Sequence, residues 1–170
     1  MYRLTAQRQI AGEAAALNLL VIFILAVLVT AFALPAYRSY TLREHNKLAR
    51  IALQDVIERY HAWQKQHPDQ RPQALADLGI YSNSLYVSSN GTTDSSANIN
   101  SIYRVSLAPP DSPSAQTCGL QDTGQAGMIL VADPVQTQRV DTQCARLCLS
   151  SSGQKGVSGT AGVAQCWGSR

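Results

Sequence analysis

Four cysteines carry the most conspicuous chemistry of this chain, and all of them lie in its last third: Cys118, Cys144, Cys148 and Cys166. Thiol groups in such a set either form disulfides or bind a metal such as Zn²⁺. A structural zinc site usually takes its cysteines as two CxxC pairs or with histidines close by, and the chain shows neither pattern. We therefore expect disulfides and no metal site. All four cysteines follow a long apolar segment, and an even number in that position is typical of an oxidising compartment.

Histidines and serines show no catalytic pattern. His45, His61 and His67 are far from the cysteines in sequence, and the serines lack the glycine pattern of a nucleophile elbow. We expect each histidine to be a solvated surface residue. The sequence therefore predicts that the protein is not an enzyme and uses no cofactor.

Composition excludes further classes of protein. The chain has 170 residues and a net charge of +3, with 45% apolar but only 15% charged residues. This length suits one domain beside a membrane segment and excludes a large multidomain enzyme. Nucleic-acid binding through phosphate neutralisation normally needs a larger or more clustered basic excess. Weak support for such binding comes from four basic residues of the last third, Arg139, Arg146, Lys155 and Arg170.

Charged residues are absent from one segment, residues 14–37. Its 24 residues exceed the length of roughly 20 that a helix needs to cross a bilayer. A cleaved secretory signal, cut after Ala31-Phe32-Ala33, is an alternative, but its apolar region is normally only about 7 to 15 residues long. A one-pass anchor fits the length better. Basic residues flank the segment on both sides, so they do not decide its orientation.

The chain continues without a turn signal into an amphipathic segment, residues 38–66. We predict one helix of about 50 residues with a kink near Pro35, the only proline before Pro68. Tyr60 and Trp63 are interpreted as core residues, with a role as interface anchors as the alternative. The face predicted to be apolar consists of Leu48, Ile51, Ala52, Asp55, Val56, Ile57, Tyr60 and Trp63.

The remaining residues predict a small antiparallel sheet that packs on this helix, an α+β fold. Apolar or alternating runs predict strands at residues 101–108, 127–132, 138–140 and 145–150. Residues 66–101 are expected to be loop, with a turn at Asn90-Gly91 and a short helix near residues 73–78. Glycine at every third position from Gly153 to Gly162 predicts a flexible surface loop.

Both ends of the chain resemble bacterial type IV pilins and minor pilins. The run Leu34-Pro35-Ala36-Tyr37-Arg38-Ser39-Tyr40 and the later Glu58-Arg59-Tyr60 resemble the long first helix of that family. Met128 to Pro134 stands where the family has a strand ending in Ala-x-Pro. The closing region of minor pilins contains an aspartate, a cysteine, a short strand, a glycine turn and a final Cys-Trp, similar here to Asp141, Cys144, Leu147, Leu149, Gly153 and Cys166-Trp167. The resemblance is weak from about residue 68 to residue 125.

The resemblance also implies a pairing of the cysteines. Cys144 and Cys166 match the pair that staples the closing loop in family members, which leaves Cys118 for Cys148. Cys144 and Cys148 would point to the same face of a strand, so an exchange of partners stays open.

A domain organisation follows from the same resemblance. It implies a leader-like cytoplasmic segment, a transmembrane half of the helix, an amphipathic half of the helix and a disulfide-stapled head in the periplasm. These correspond to residues 1–13, 14–37, 38–66 and 67–170.

The processing motif of pilins is broken in this chain. The family has a basic residue and a glycine before the cut and a glutamate at the fifth place after it. Family spacing from Pro35 puts Glu13 in the place of the glycine and Asn18 in that of the glutamate. If Gly12 is the cut site, Leu17 takes the place of the glutamate. The resemblance implies that this carboxylate pairs with the N-terminal amine of a neighbouring subunit, so its loss indicates either a poorly processed relative or a subunit at a filament end.

The resemblance implies a minor pilin, a structural subunit of a type IV pilus that acts at the tip or in initiation. Its expected partners are other pilin subunits, bound through the helix, and the bacterial inner membrane. A pseudopilin of type II secretion and a pilin-like DNA receptor for natural transformation are the alternatives. The last alternative is a secreted soluble domain that is cut after Ala33.

Overall fold

A single long helix opens the structure. The computed structural model describes residues 3–109, 112–120 and 128–168, with side chains from Asn18 onward. Helix α1 (Arg3–Gln66) has 64 residues and contains Pro35. It exceeds the predicted length because it also includes residues before the charge-free segment. The absence of glycine from Glu13 to Leu78 favours an unbroken helix through the predicted part, since glycine weakens a helix interior.

Contacts divide the chain into two compact units, Met1–Thr41 and Leu42–Arg170. The described part of the first unit is helical throughout. The second unit combines the remainder of α1 with an antiparallel sheet, and this arrangement confirms the predicted α+β fold.

The sheet has six strands within the described residues, in the order β2-β1-β3-β4-β5-β6. Every neighbouring pair is antiparallel. The strands are β1 (Ser84–Ser88), β2 (Thr93–Asp94), β3 (Ser101–Ala108), β4 (Ile129–Pro134), β5 (Leu147–Ser150) and β6 (Lys155–Val157). Short helices accompany them: α2 (Pro113–Gln116), α3 (Gly162–Trp167) and two 3₁₀ helices, Leu75–Leu78 and Gln136–Val140.

One predicted strand is wrong. Residues 138–140 lie in the 3₁₀ helix Gln136–Val140, where the side chain of Gln138 is fully buried. The prediction from alternating apolar and polar residues failed here, because the polar Gln138 is buried and the apolar Val140 is exposed. Strand β3 has the predicted bounds, whereas β4 and β5 each begin two residues later than predicted and β4 extends further.

Strands β1, β2 and β6 fall in segments that were expected to be loops. Their sequences are short and flanked by polar residues, so pairing with neighbouring strands decides their conformation more than local preference does. The predicted turn at Asn90-Gly91 connects β1 to β2, and Gly91 adopts a φ of 86° there.

The main core lies between α1 and the sheet. It includes Leu53, Val56 and Tyr60 from the helix together with Tyr103 and Leu130 from the sheet. The predicted helix face needs correction, because Ile51 and Asp55 are exposed. The buried positions of α1 in this unit follow a stripe with helical spacing: Asn46, Ala49, Ala52, Leu53, Val56 and Tyr60. Trp63 is partly buried against this core, as the core interpretation expects.

A second, smaller core lies on the opposite face of the sheet. Ile129, Val131 and Cys148 alternate with residues of the main core along β4 and β5, so these strands are buried on both faces. The segment around α2 supplies Ala115 and Cys118 to this second core.

The expected flexible loop from Gly153 to Gly162 is instead ordered structure. It contains β6 and the start of α3. A Cβ at Gly156 would overlap the carbonyl oxygen of Cys118, and one at Gly159 would overlap that of Gln143. These two glycines therefore permit close backbone packing.

Candidate functional site

The first candidate feature is an exposed apolar surface on α1, which we call the apolar span (Leu19–Tyr40). Asn18–Gln66 is the one helix of the described residues long and apolar enough to cross a membrane, judged by length and composition, with a peak mean hydropathy of 2.8. The large apolar side chains of the span are all about half exposed or more. They are Leu19, Leu20, Val21, Ile22, Phe23, Ile24, Leu25, Val27, Leu28, Val29, Phe32, Leu34, Tyr37 and Tyr40. A surface of this kind fits lipid or another apolar helix.

Apart from Tyr37, two polar side chains lie between residues 18 and 37 of this helix, those of Asn18 and Thr30. The hydroxyl of Thr30 donates to the carbonyl oxygens of Ala26 at 3.0 Å and Val27 at 2.9 Å. Asn18 is exposed, and its amide has no hydrogen-bond partner among the described residues.

For the residues of the predicted processing site, the structure describes the helix but not the side chains. Gly12, Glu13 and Leu17 belong to the helical range of α1, but their side chains lie outside those described. The cleavage prediction therefore stays a prediction.

The second feature is a buried polar cluster where α1 meets the sheet. We call it the polar cluster, and it consists of Asn46, Tyr103, Gln138 and Asp141. Their exposed fractions are only 0 to 4%. Burial of so many polar groups is favourable only when they are hydrogen-bonded.

Hydrogen bonds connect every member of the polar cluster. Asn46 Nδ2 donates to Asp141 Oδ2 at 2.9 Å, and the hydroxyl of Tyr103 donates to Asn46 Oδ1 at 2.5 Å. Gln138 Nε2 lies 3.1 Å from Asn46 Oδ1, 3.2 Å from the Tyr103 oxygen and 3.3 Å from Asp141 Oδ2. The cluster therefore joins α1, β3 and the segment before β5.

Asp141 also fixes the backbone around the first cysteine of the closing region. Its Oδ1 accepts hydrogen bonds from the backbone N–H groups of Gln143 and Cys144, each at 3.0 Å. One carboxylate thus holds the turn that carries Cys144 and, through Oδ2, the helix. This gives a physical reason for an aspartate at this position.

Burial determines the charge state of Tyr103. Desolvation raises the pKa of its hydroxyl well above the ordinary range, the hydrogen bond with Gln138 lowers it, and the negative charge of Asp141 raises it further. Tyr103 therefore stays neutral and keeps the proton that it donates to Asn46.

His45 is not the free surface residue that was expected. It is half-buried, and its Nδ1 lies 2.8 Å from Gln138 Oε1. Since Gln138 Nε2 faces three acceptors, Oε1 must accept and His45 Nδ1 must carry a proton. His67 also has a partner, because its ring stacks on Trp63 with centroids 4.6 Å apart. Only His61 is exposed as predicted.

The cysteines form two disulfides, Cys144–Cys166 and Cys118–Cys148, the pairs that the resemblance implies. Their Cα atoms lie 5.5 and 6.1 Å apart, respectively. The expectation that Cys144 and Cys148 share a face of one strand is wrong. Cys144 precedes β5 and joins the main core, while Cys148 lies in β5 and joins the second core.

The end of the described chain is bound to α1 and to β6. Arg50 Nη1 donates to the carbonyl oxygen of Trp167 at 2.5 Å, and Trp167 Nε1 donates to that of Gly156 at 3.1 Å. Lys155 Nζ lies 5.6 Å from the centre of the Trp167 ring, within cation–π range.

The basic residues that suggested nucleic-acid binding do not form one free patch. Arg146 Nε lies 2.6 Å from Asp133 Oδ1, and Lys155 contacts Trp167. Arg139 is exposed, and Arg170 lies outside the described residues. These contacts add no support to a DNA-binding role.

Sequence reasoning missed three of the four members of the polar cluster. The sequence patterns point to none of Asn46, Tyr103 and Gln138, whereas Asp141 belongs to the closing region that resembles minor pilins. One signal was present for Asn46, because it lies on the buried stripe three residues before Ala49 and seven before Leu53. A polar residue on such a stripe indicates a buried hydrogen bond.

An apolar helix surface is available for lipid or partner helices, and the same helix is hydrogen-bonded into a sheet stapled by two disulfides. No group of histidine, cysteine, aspartate or glutamate suited to hold a metal occurs within residues 3–109, 112–120 and 128–168. No protein-family model matches the chain, and no curated protein matches it either.

Proposed function

We propose that the protein is a minor pilin, a structural subunit of a type IV pilus and not an enzyme. It is held in the bacterial inner membrane by the apolar span, with its head in the periplasm, until it packs into a filament through that span. The observation that carries the proposal is the exposed apolar span on the same helix that supplies the core of the head.

This helix serves both environments for a physical reason. The apolar span is stable only in lipid or against other apolar helices, because exposing it to water costs free energy. The later part of α1 is anchored in the head by the main core and the polar cluster. A subunit moved from bilayer to filament keeps its head folded while the surroundings of the span change.

Two further features support the periplasmic and pilus parts of the proposal. Both disulfides lie in the head, where an oxidising compartment is needed. Asp141, Cys144 and Cys166-Trp167 resemble the closing region of minor pilins, and this favours a pilus over a type II secretion system.

The position within the filament follows from the missing glutamate. Asn18 or Leu17 stands where the resemblance implies a carboxylate that recruits the next subunit through an amine. A buried carboxylate is useful only with such a partner. A subunit without it suits a filament end, where one neighbour is absent.

The N-terminal residue of the protein in assembled filaments tests this function. We expect a chain cut near Gly12 or Glu13, with immunogold label confined to filament ends. Dense label along whole filaments contradicts the end position. Absence from filaments, or a mature chain beginning after Ala33, contradicts the minor-pilin function.

A further inference from the structure

A cavity of about 380 Å³ lies within the second unit, where the C-terminal end of α1 meets the turn that follows β5. We call it the helix-end cavity. Two distant segments line it, residues 60–71 and the pair Ser151-Ser152. Sites that take small molecules usually have volumes of roughly 300 to 1,000 Å³, so this cavity has room for a small ligand.

One buried hydroxyl, that of Tyr60, opens into the helix-end cavity. Tyr60 is only 2% exposed and packs in the main core, yet its hydroxyl forms no hydrogen bond with any residue that the structure describes. Arg50 Nε is the one sealed side-chain nitrogen or oxygen without a partner among these residues. The Tyr60 oxygen is therefore not sealed in the core, and it is available to a molecule in the cavity that this residue lines.

Three further polar side chains of the cavity wall are available in the same way. The amide of Gln64, the carboxylate of Asp69 and the guanidinium of Arg71 form no hydrogen bond or ion pair within the described part of the chain. The opposite wall is held by its own hydrogen bonds. Ser151 Oγ accepts from the backbone N–H of Met128 at 3.1 Å, and the hydroxyl of Ser152 lies 2.8 Å from that of Ser150.

The charges and polarity of the wall decide which class of ligand fits it. Asp69 and Arg71 carry opposite charges, so a small anion attracted by one is repelled by the other. An apolar ligand would displace water from these groups without replacing its hydrogen bonds, which costs free energy. A hydroxyl group both donates and accepts, so it can pair with a carboxylate, a guanidinium, an amide and a phenol alike. A ligand with several hydroxyls therefore matches the whole set.

We propose that the helix-end cavity binds a saccharide, whose hydroxyls pair with Tyr60, Gln64, Asp69 and Arg71. This binding goes beyond the proposed function, which concerns assembly through the apolar span, and it does not depend on that function. Each saccharide hydroxyl replaces a bound water, so the net gain per hydrogen bond is small. Affinity for a free disaccharide is therefore expected to be weak, with a Kd of about 0.1 to 10 mM.

Titration of the full-length chain with lactose, maltose and N,N′-diacetylchitobiose tests the site, with Kd measured by saturation-transfer NMR. The detergent must lack a sugar headgroup, which would compete for the cavity. At least one of the three disaccharides should bind in the expected range. Tyr60→Phe removes only the hydroxyl and should weaken this binding by about 2- to 12-fold, the effect of one net hydrogen bond. Tyr81→Phe is the matched control and should bind like the wild type, because Tyr81 is fully exposed and does not line the cavity.

A second variant covers the case in which Tyr60→Phe does not fold. Gln64→Met keeps the length of the side chain but removes its amide, and it should weaken binding over the same range. Sodium phosphate serves as the competing probe and should leave the disaccharide affinity unchanged. The proposal is overturned if none of the three disaccharides binds, if both cavity variants bind as well as the wild type, or if phosphate occupies the site in place of the saccharide.

Discussion

The side-chain amide of Asn46 donates a hydrogen bond to Asp141 Oδ2 across 2.9 Å, although 95 positions separate the two residues in sequence. This bond lies in a buried region and fixes the helix to the turn that carries Cys144. Apolar packing alone allows some sliding of a helix on a sheet, whereas a directional bond between buried groups specifies one position.

The first prediction concerns this carboxylate. Asp141→Asn should lower the free energy of unfolding by about 2 to 4 kcal/mol. An amide nitrogen in place of one carboxylate oxygen is itself a donor, and it would face the N–H donors from which that oxygen now accepts. Urea unfolding of the detergent-solubilised chain measures the change. Asp55→Asn is the control, since Asp55 forms an exposed pair with Arg59 and its loss should cost less than about 1 kcal/mol. Equal effects of the two variants would show that the polar cluster adds no stability.

The second prediction concerns alkaline pH and Tyr103. Burial raises the pKa of Tyr103 in the folded chain, so the unfolded chain loses this proton first as the pH rises. The protonated Tyr103 hydroxyl contributes its full stabilisation of the folded chain below pH about 10, the ordinary tyrosine pKa, and this contribution declines above that pH. Tyr103→Phe should therefore show a weaker loss of stability than the wild type between about pH 9 and pH 11.5. Parallel slopes of unfolding free energy against pH in the two proteins would contradict the assignment.

The third prediction concerns the disulfide of the closing region. Cys144 and Cys166 are 22 positions apart, and closing a loop of this size is worth about 3 kcal/mol. The double variant Cys144→Ser/Cys166→Ser should unfold at a clearly lower temperature than the wild type, as followed by circular dichroism. Peptide mapping without reduction should recover Cys118 linked to Cys148 in both proteins. Free thiols in the wild-type map would refute the pairing.

The fourth prediction concerns the apolar span. The full-length chain should fractionate with the inner membrane and need detergent for extraction, because the span exposes large apolar side chains over several helical turns. A fragment beginning at Arg38 should be soluble and folded, as judged by size-exclusion chromatography. Recovery of the full-length chain in the soluble periplasmic fraction would sink the membrane assignment.

Sequence patterns predicted the long, regular elements of this fold. Helix α1 lacks glycine over a long stretch, and strand β3 has an apolar run bounded by Pro109-Pro110, so local signals and tertiary structure agree there. Strand β6 could not be predicted in this way. Its three residues include Gly156, and their conformation depends on pairing with β5 and on the close approach of Cys118.

The polar cluster was beyond sequence reasoning for a different reason. Hydrophobic periodicity finds apolar residues that share a face, but it cannot show which polar residues from distant segments meet. Gln138 illustrates this limit, because it lies among polar neighbours and yet is fully buried. Its position follows only from the contacts of α1 with the sheet.

The bond from Arg50 to the carbonyl of Trp167 spans 117 positions and links an early helix to one of the last described residues. Contacts of such long range form slowly, because the intervening chain must first be ordered. During synthesis, α1 emerges long before Trp167, so it waits with Asn46 and Arg50 unpaired until the last strands follow. Until those segments follow, the stripe of α1 that is buried in the finished head has no sheet to cover it.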